Sequence, residues 1–276
     1  MNQLSISVRI AEGFQSKEHA IMDLSSLTRL AREAGYDAMC MRASQIGIQS
    51  TKETVDEGIR ILGTEQMPIS MMTGDFDIVY NNDKGPDCLR GIDPYLKLAK
   101  RLNTRLLRVA LKTEDDIPWG QKASDQAAEQ GLSLVHQCHS KSLFETLDGI
   151  EATLSKIDRP NFGLIFEPAN LELCGQPFAT EAIERLAPWI MNVYFQNQII
   201  KPDGEVTLET WCRGPVSFDI IEIHEQGGID FESVITGLKG IGYSGTMTVH
   251  QCAPEGCSPS DSAISANAYL RQLIDG

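Results

Sequence analysis

Two hydrophobic patterns follow one another along the whole chain. Short segments that alternate between apolar and polar residues, or are almost wholly apolar, indicate strands, whereas apolar residues three and four apart indicate helices. Residues 4–10 show the first pattern; residues 22–34 show the second and stop before Gly35, a common residue after a helix end. The patterns predict strands at 4–10, 37–42, 67–72, 104–111, 132–137, 162–167, 190–196 and 246–250. They predict helices at 22–34, 51–62, 94–102, 115–130, 143–157, 180–186, 231–238 and 262–274, with Gly63 and Gly131 closing the second and fourth.

Eight strand–helix units in a chain of this length predict a closed parallel barrel. Alternating strands and helices form parallel sheets, and 276 residues is a typical length for a (β/α)8 TIM barrel. An open, doubly wound sheet is the alternative, but no GxGxxG or Walker sequence follows the first strand. We therefore expect residues 1–276 to form a single TIM-barrel domain. The connection 197–227 contains the turn sequence Pro202-Asp203-Gly204, and it is either a hairpin-like excursion over the barrel mouth or a plain surface insertion.

The net charge argues against some classes of binding partner, and the cysteine pattern indicates the redox compartment. The net charge is −14 and no basic run occurs, which argues against nucleic acid and anionic membranes as partners. No segment resembles a signal peptide or reaches transmembrane length. The seven cysteines are odd in number and form no CxxC, so we expect reduced thiols and a cytoplasmic protein.

Polar residues with catalytic or ligating chemistry end four consecutive predicted strands. The active site of a TIM barrel lies at the carboxyl ends of its strands, so these residues should meet at one mouth. The fifth to eighth strands end in His136-Gln137-Cys138-His139, Glu167-Pro168-Ala169-Asn170, Tyr194-Phe195-Gln196-Asn197 and His250-Gln251-Cys252. Glu167 stands out, because a carboxylate that ends an apolar strand rarely lies there without a partner.

Three segments resemble the xylose-isomerase-like superfamily of sugar phosphate isomerases and epimerases. Residues 131–146, with Gln137, His139 and Phe144-Glu145-Thr146, resemble its strand-five segment, and residues 163–175 resemble its strand-six segment. Residues 227–231 and 242–245, followed by Val249-His250, resemble its C-terminal segment. Their order and spacing suit the barrel predicted from the hydrophobic pattern.

The resemblance implies a divalent metal site with altered ligands. The family holds its ion with Glu, Asp, His and Glu from strands five to eight; the matching positions here are Gln137, Glu167, either Gln196 or Tyr194, and His250. We favour Gln196 because it is closer to the strand end. One carboxylate replaces three, so Mn²⁺, Mg²⁺, Co²⁺ or Zn²⁺ would be held more weakly. The repeat of Val-His-Gln-Cys at 135–138 and 249–252 supports an alternative register in which His136 faces the site instead of Gln137.

The resemblance also implies an isomerase or epimerase that passes through an enediol or enolate. Gln137 cannot accept a proton, whereas His250 can, so we expect His250 to be the main acid–base group and Glu167 to hold the metal or orient the substrate. One-base chemistry also suits a lyase, a decarboxylase or dehydratase of an oxidised sugar acid. A barrel that binds a sugar without catalysis is the third alternative.

Basic residues near strand ends suggest an anionic substrate in so acidic a chain. Arg9 and Arg42 end the first two strands, Arg108 lies in the fourth strand and Arg213 lies in the long connection; the alternative for each is an ion pair within the barrel. We expect the substrate to be a small sugar acid or sugar phosphate that also contacts His139, Asn170, Asn197 and Tyr194. The sequence is also compatible with a homo-oligomer.

Overall fold

The computed structural model describes residues 2–13, 19–74 and 83–276 and contains a closed parallel barrel. Seven barrel strands come first, the seventh leads into three short strands, and the last strand closes the ring between β7 and β1. The predicted (β/α)8 TIM barrel is confirmed. The strands are β1 (Leu4–Ser7), β2 (Ala38–Met41), β3 (Ile69–Thr73), β4 (Leu106–Arg108), β5 (Ser133–Gln137), β6 (Phe162–Phe166), β7 (Ile190–Phe195), β8 (Gln198–Ile200), β9 (Val206–Thr210), β10 (Gly214–Ile220) and β11 (Thr246–Val249).

Helices surround the barrel, and several begin at side-chain caps. Asp23, Thr51, Thr146, Asp230 and Ser258 each accept a hydrogen bond from a backbone N–H of the first turn. Among the described residues, no helix is long and apolar enough to cross a membrane. The helices are α1 (Leu24–Glu33), α2 (Lys52–Thr64), α3 (Asp87–Arg90), α4 (Asp93–Arg101), α5 (Ile117–Ala128), α6 (Leu147–Ile157), α7 (Pro168–Leu173), α8 (Thr180–Leu186), α9 (Phe231–Gly240) and α10 (Pro259–Asp275).

Several elements differ from the sequence prediction; β4, for example, spans Leu106–Arg108 where a strand was predicted over 104–111. The first strand stops at Ser7 and continues as a 3-10 turn, Val8–Ala11. Gly63 does not close α2: the helix runs on to Thr64, and Gln66 takes the left-handed conformation with φ 53°. The short helix α7, directly after β6, was not predicted, because its six residues are fewer than two helical turns.

Alternation along the strands divides the core into two layers. The larger layer lies between strands and helices, and a smaller cluster fills the barrel interior: Cys40, Met71, Val135, Ile165 and Tyr194. Because neighbouring strand residues point to opposite faces, Val135 places Gln137 on the interior face and His136 on the helix side. β5 therefore directs Gln137, and not His136, into the barrel interior, as favoured from the sequence.

The long connection forms a three-stranded antiparallel sheet in the order β8-β10-β9. The predicted turn is present, since the Gly204 N–H donates to Lys201 O at 3.2 Å, but it joins the two edge strands and not a hairpin pair. The hairpin turn lies at residues 211–213, between β9 and β10. Val216 and Phe218 pack against Leu173 of α7, so the sheet rests on the helix that follows β6.

A single asparagine closes the base of this connection. Asn197 is fully buried; its Nδ2 donates to Glu222 O at 2.9 Å and Glu225 O at 3.0 Å, and its Oδ1 accepts from Ile229 N at 2.9 Å. A Cβ on Gly228 would lie 2.1 Å from the same Oδ1, so this position requires glycine. The two ends of the connection are thereby held against one side chain.

Candidate active site

Gln137, Glu167 and Asn170 meet at the carboxyl ends of β5 and β6. The carboxylate of Glu167 accepts hydrogen bonds from Gln137 Nε2 and Asn170 Nδ2. Asn170 reaches back because it lies in the first turn of α7, which begins directly after Glu167. All three side chains are buried, and Glu167 is only 1% exposed. Three of the predicted site residues are thus in direct contact.

His136 lies outside this group, between the barrel and the helices. Its ring packs on Phe144 with centroids 4.5 Å apart, and its Nδ1 lies 3.1 Å from Val109 O. Burial, with a contribution from the Arg108 charge, lowers the pKa of His136 well below its ordinary value. The repeated Val-His-Gln-Cys sequence does not mark equivalent positions, because His250 follows the last residue of β11 whereas His136 lies inside β5.

His250 and Tyr194 form a stacked pair in adjacent strands. Their ring centroids are 3.8 Å apart and the ring planes differ by 8°. Tyr194 lies beneath the imidazole, fully buried, with its hydroxyl 3.5 Å from Cys40 Sγ. Burial raises the pKa of Tyr194 well above its ordinary value. Tyr194 therefore supports His250 from the barrel interior.

Gln196 and Asn197 follow β7 but differ in what they contact. Gln196 is half-buried, and its Nε2 donates to Gln198 Oε1 at 3.2 Å. The Asn197 amide is committed to the backbone of the connection described above, so the structure assigns it a structural contact where the sequence suggested substrate. Gln198, which the sequence did not single out, donates to Ala169 O at 2.8 Å and ties the sheet to α7.

Arg108 is a buried cation at the end of β4. Its side chain is 3% exposed and forms no hydrogen bond or salt bridge with any residue that the structure describes. Burial lowers the pKa of Arg108, whereas the nearby Tyr194 and Glu167 raise it. The Arg108 Nε–H is buried and has no hydrogen-bond partner among the described residues, which is unfavourable for a charged group.

Arg42 and Arg9 are instead paired with a carboxylate. Arg42 Nε donates to Glu12 Oε1 at 2.8 Å, and Arg42 Nη2 donates to Glu12 Oε2 at 3.2 Å. Arg9 Nη1 lies 3.6 Å from Glu12 Oε2. Glu12 also accepts from Ser44 Oγ at 2.6 Å and is 1% exposed. The alternative considered for these two arginines, an ion pair within the barrel, is what the structure contains.

Arg213 and His139 lie at the edge of the group. Arg213 is exposed and donates to Glu172 O at 3.3 Å and Leu173 O at 3.1 Å, the last carbonyls of α7. His139 is half-buried, with Nδ1 3.0 Å from Ser140 O.

The donor set suits a weakly held divalent ion. Gln137 Oε1 is buried and has no hydrogen-bond partner within the described part of the chain, next to a carboxylate that is the only acidic residue of the four predicted ligands. An unpartnered amide oxygen beside a carboxylate can bind a hard cation or a substrate hydroxyl. Gln137 and Glu167 are the residues that the structure brings together for such an ion.

Comparison with known proteins gives the fold. No family model and no curated protein matches the sequence. Solved structures that match along their whole length include a xylose isomerase-like TIM barrel protein from Mycobacterium smegmatis in complex with magnesium (TM-score 0.71, 14% identity, 99% of this chain and 96% of that chain). Others are the probable 3-DHS dehydratase involved in petrobactin synthesis from Bacillus anthracis (TM-score 0.71, 15% identity, 98% of each chain) and a D-allulose 3-epimerase from Methylomonas sp. in complex with D-allulose (TM-score 0.71, 15% identity, 99% and 97%). The resemblance expected from the sequence is confirmed at the level of the fold: this chain has the TIM-barrel fold of these structures.

Proposed function

We propose that the protein is an enzyme of the isomerase or epimerase type that acts on a small sugar acid through an enediol or enolate. The observation that carries the proposal is Arg108, a buried guanidinium without a hydrogen-bond partner in the described chain, close to Glu167. An anionic substrate group would supply the missing partner, since a carboxylate accepts two parallel N–H bonds from one guanidinium. The structural neighbours with sugar substrates support the sugar part of the proposal.

His250 is the proposed acid–base group. It ends the strand next to β7, its ring is held by Tyr194, and imidazole titrates near neutral pH. His250 would take the proton from the carbon next to the substrate carbonyl and deliver it on the same face to the former carbonyl carbon, which completes an isomerisation. Inversion at a single carbon would need a second proton donor on the opposite face. Gln137 cannot share this task, because an amide does not accept a proton in this pH range; its free Oε1 would accept a substrate hydroxyl.

A divalent ion would be held by Glu167 and Gln137, with Gln196 and His250 completing the predicted set. When bound, it would supply Lewis-acid stabilisation of the oxyanion that develops on the substrate. Glu167 orients the substrate in either case, because its own position is fixed by the amides of Gln137 and Asn170. A site with one carboxylate should lose its ion to a mild chelator.

A lyase is the second candidate. Dehydration or decarboxylation of a keto sugar acid also passes through an enolate and needs one acid–base group on one face. The specific observation in its favour is Gln137, which occupies the place of one of the two family bases. The same deprotonation step would then end in loss of water or carbon dioxide instead of reprotonation.

The test is proton exchange measured by NMR in D2O. Keto sugar acids are compared with matched keto sugars in which a hydroxymethyl group replaces the carboxylate. We expect deuterium to enter next to the carbonyl of the acids only, and the products to separate isomerase from lyase. Equal kcat/KM for acid and neutral analogue would contradict the anionic substrate.

The matched control is His250→Gln, which keeps a polar side chain but removes the titrating group. It should bind the same acid in calorimetry without exchanging its proton. Binding by both wild type and variant with no exchange in either would identify a non-catalytic sugar-binding barrel instead. Elemental analysis of wild type and Glu167→Gln, purified in parallel, tests the ion separately: the variant should contain less metal.

A further inference from the structure

Two cysteine thiols meet where the β9–β10 turn touches the end of α7. Cys174 directly follows α7 and is buried, whereas Cys212 lies in the turn and is exposed. Their sulfur atoms, together with a carboxylate oxygen of Glu145, lie within 4.8 Å of one another. Cys212 Sγ also lies 3.5 Å from Cys174 O. One thiol of the pair is accessible to a reagent, and the other is next to it.

The turn is held against two other elements by independent hydrogen bonds. Trp211 N and Cys212 N donate to the carboxylate of Glu145 at 2.8 and 2.9 Å, and Lys141 N donates to it at 2.5 Å. Arg213 donates to the last carbonyls of α7, and Gly175 leaves room for its side chain, since a Cβ there would lie 3.1 Å from Arg213 Cδ. These bonds keep the two sulfur atoms together in the folded state.

Glu145 is poorly placed to make this cluster a metal site. Oε1 accepts from Lys141 N and Trp211 N, and Oε2 accepts from Trp211 N and Cys212 N. Three backbone N–H groups thus already donate to the two oxygens, with that of Trp211 shared between them, which takes up much of the capacity of the carboxylate to accept. The remaining chemistry is that of the two sulfur atoms with each other.

We propose that Cys174 and Cys212 form a reversible disulfide that ties the three-stranded sheet to α7, with a small organic disulfide as the oxidant. The Cys212 thiolate attacks one sulfur of the reagent, forming a mixed disulfide and releasing one thiol that takes up the proton. The Cys174 thiolate then attacks the Cys212 sulfur and expels the second thiol. Two protein thiols are oxidised and one disulfide is reduced to two thiols. α7 carries Asn170, so the bond connects the sheet to the helix beside Glu167.

The environment makes this reaction slow at neutral pH. Burial raises the pKa of both thiols; Cys212 and then the Glu145 carboxylate add to this at Cys174, and Glu145 adds to it at Cys212. Since the thiolate is the nucleophile, the rate should increase as the pH is raised through the alkaline range. Arg213 belongs to the same turn, and its Nη1 donates to α7 carbonyls.

The experiment treats the full protein with glutathione disulfide and maps peptides without reduction. All proteins carry Cys257→Ser, because Cys257 is the other exposed cysteine and would give its own adduct. The background protein should lose two thiols and yield a 174–212 crosslinked peptide, with a thermal midpoint higher by several degrees. Cys174→Ser should instead accumulate one glutathione on Cys212, and Cys212→Ser should stay unmodified at Cys174. A stable adduct on Cys212 in the background protein, or no modification of either residue, would overturn the proposal.

Discussion

The imidazole of His250 lies flat on the phenol ring of Tyr194, with centroids 3.8 Å apart. The two residues come from neighbouring barrel strands, β11 and β7, and their stacking fixes the plane of the imidazole. Tyr194 itself is enclosed in the barrel interior and cannot move aside. A proton carrier with a fixed ring plane needs less reorganisation when its substrate binds.

His250→Gln should lower kcat on the order of 10²–10⁴-fold and leave KM largely unchanged, because a general acid–base group contributes to the rate by that amount. Tyr194→Phe keeps the stacked ring and should retain most of kcat. Tyr194→Leu removes the ring face and should lower kcat, with a pH profile altered from that of Tyr194→Phe. Identical kinetics for the two Tyr194 variants would show that stacking has no role in turnover.

Gln137→Glu restores the carboxylate that the superfamily has at this position, and we expect it to impair native turnover. The structure adds a reason: Gln137 donates a hydrogen bond to Glu167, and a second carboxylate would replace that donor by a like charge. Metal retention should rise in the same variant. Faster native turnover would mean that the protein is a weakened two-base epimerase.

Arg108→Met and Arg42→Met should change stability in opposite directions. Arg108 is buried without a partner, so its removal should raise the free energy of unfolding while the affinity for the anionic substrate falls at least tenfold. Removal of Arg42 leaves Glu12 with a buried charge that loses its bidentate partner, which should cost about 3 kcal/mol. Urea unfolding of both variants and calorimetry with a keto sugar acid check this.

The neutral substrate analogue is the control for Arg108→Met. Its binding should be the same in wild type and variant, since it has no group for the guanidinium. If Arg108→Met is less stable than wild type and binds the acid normally, Arg108 has a structural partner and the substrate-binding role is wrong.

The buried His136 should make stability depend on pH. Its folded-state pKa is lowered by burial, so only the unfolded chain takes up this proton as the pH falls through about 6.5. The stability that neutral His136 contributes is therefore present above that pH and is lost below it, by about 1.4 kcal/mol at pH 5.5. His136→Asn, which keeps a donor for Val109 O, should show a smaller loss between pH 7.5 and 5.5 in thermal unfolding. An equal loss in both proteins would contradict this.

The sequence was sufficient for the barrel and for the contact between Gln137 and Glu167, because both follow from strand periodicity and from residues that end apolar strands. It did not identify which residues form ion pairs with the arginines. In the sequence, Arg42 ends one predicted strand and Arg108 lies within another, and neither position indicates whether the side chain has a partner. What separates them is Glu12, which follows the 3-10 turn after β1 and comes close to Arg42 because β1 pairs with β2 in parallel.

Asn197 illustrates the same limit. A polar residue after a strand of the mouth predicted a substrate contact, whereas the folded chain uses its amide to hold residues some 25 to 32 positions away. The signal that could have indicated this is the Gly227-Gly228 pair, which allows the backbone to approach a side chain closely. Glycines opposite a buried amide point to a structural role for that amide.

Because Asn197 holds both ends of the connection, the inserted three-stranded sheet can be exchanged as a unit. The chain leaves the barrel at residue 197 and returns by residue 229, and both points are bound to one side chain. Changes of length between them need not be transmitted to β7 or α9, because the distance that a replacement must span is fixed at the base. Related barrels could thus exchange this segment, and with it the surface above the strand ends, while the strands that carry Glu167 and His250 keep their register. Substrate preference could then evolve, or be engineered, in a region that the barrel does not depend on for closure.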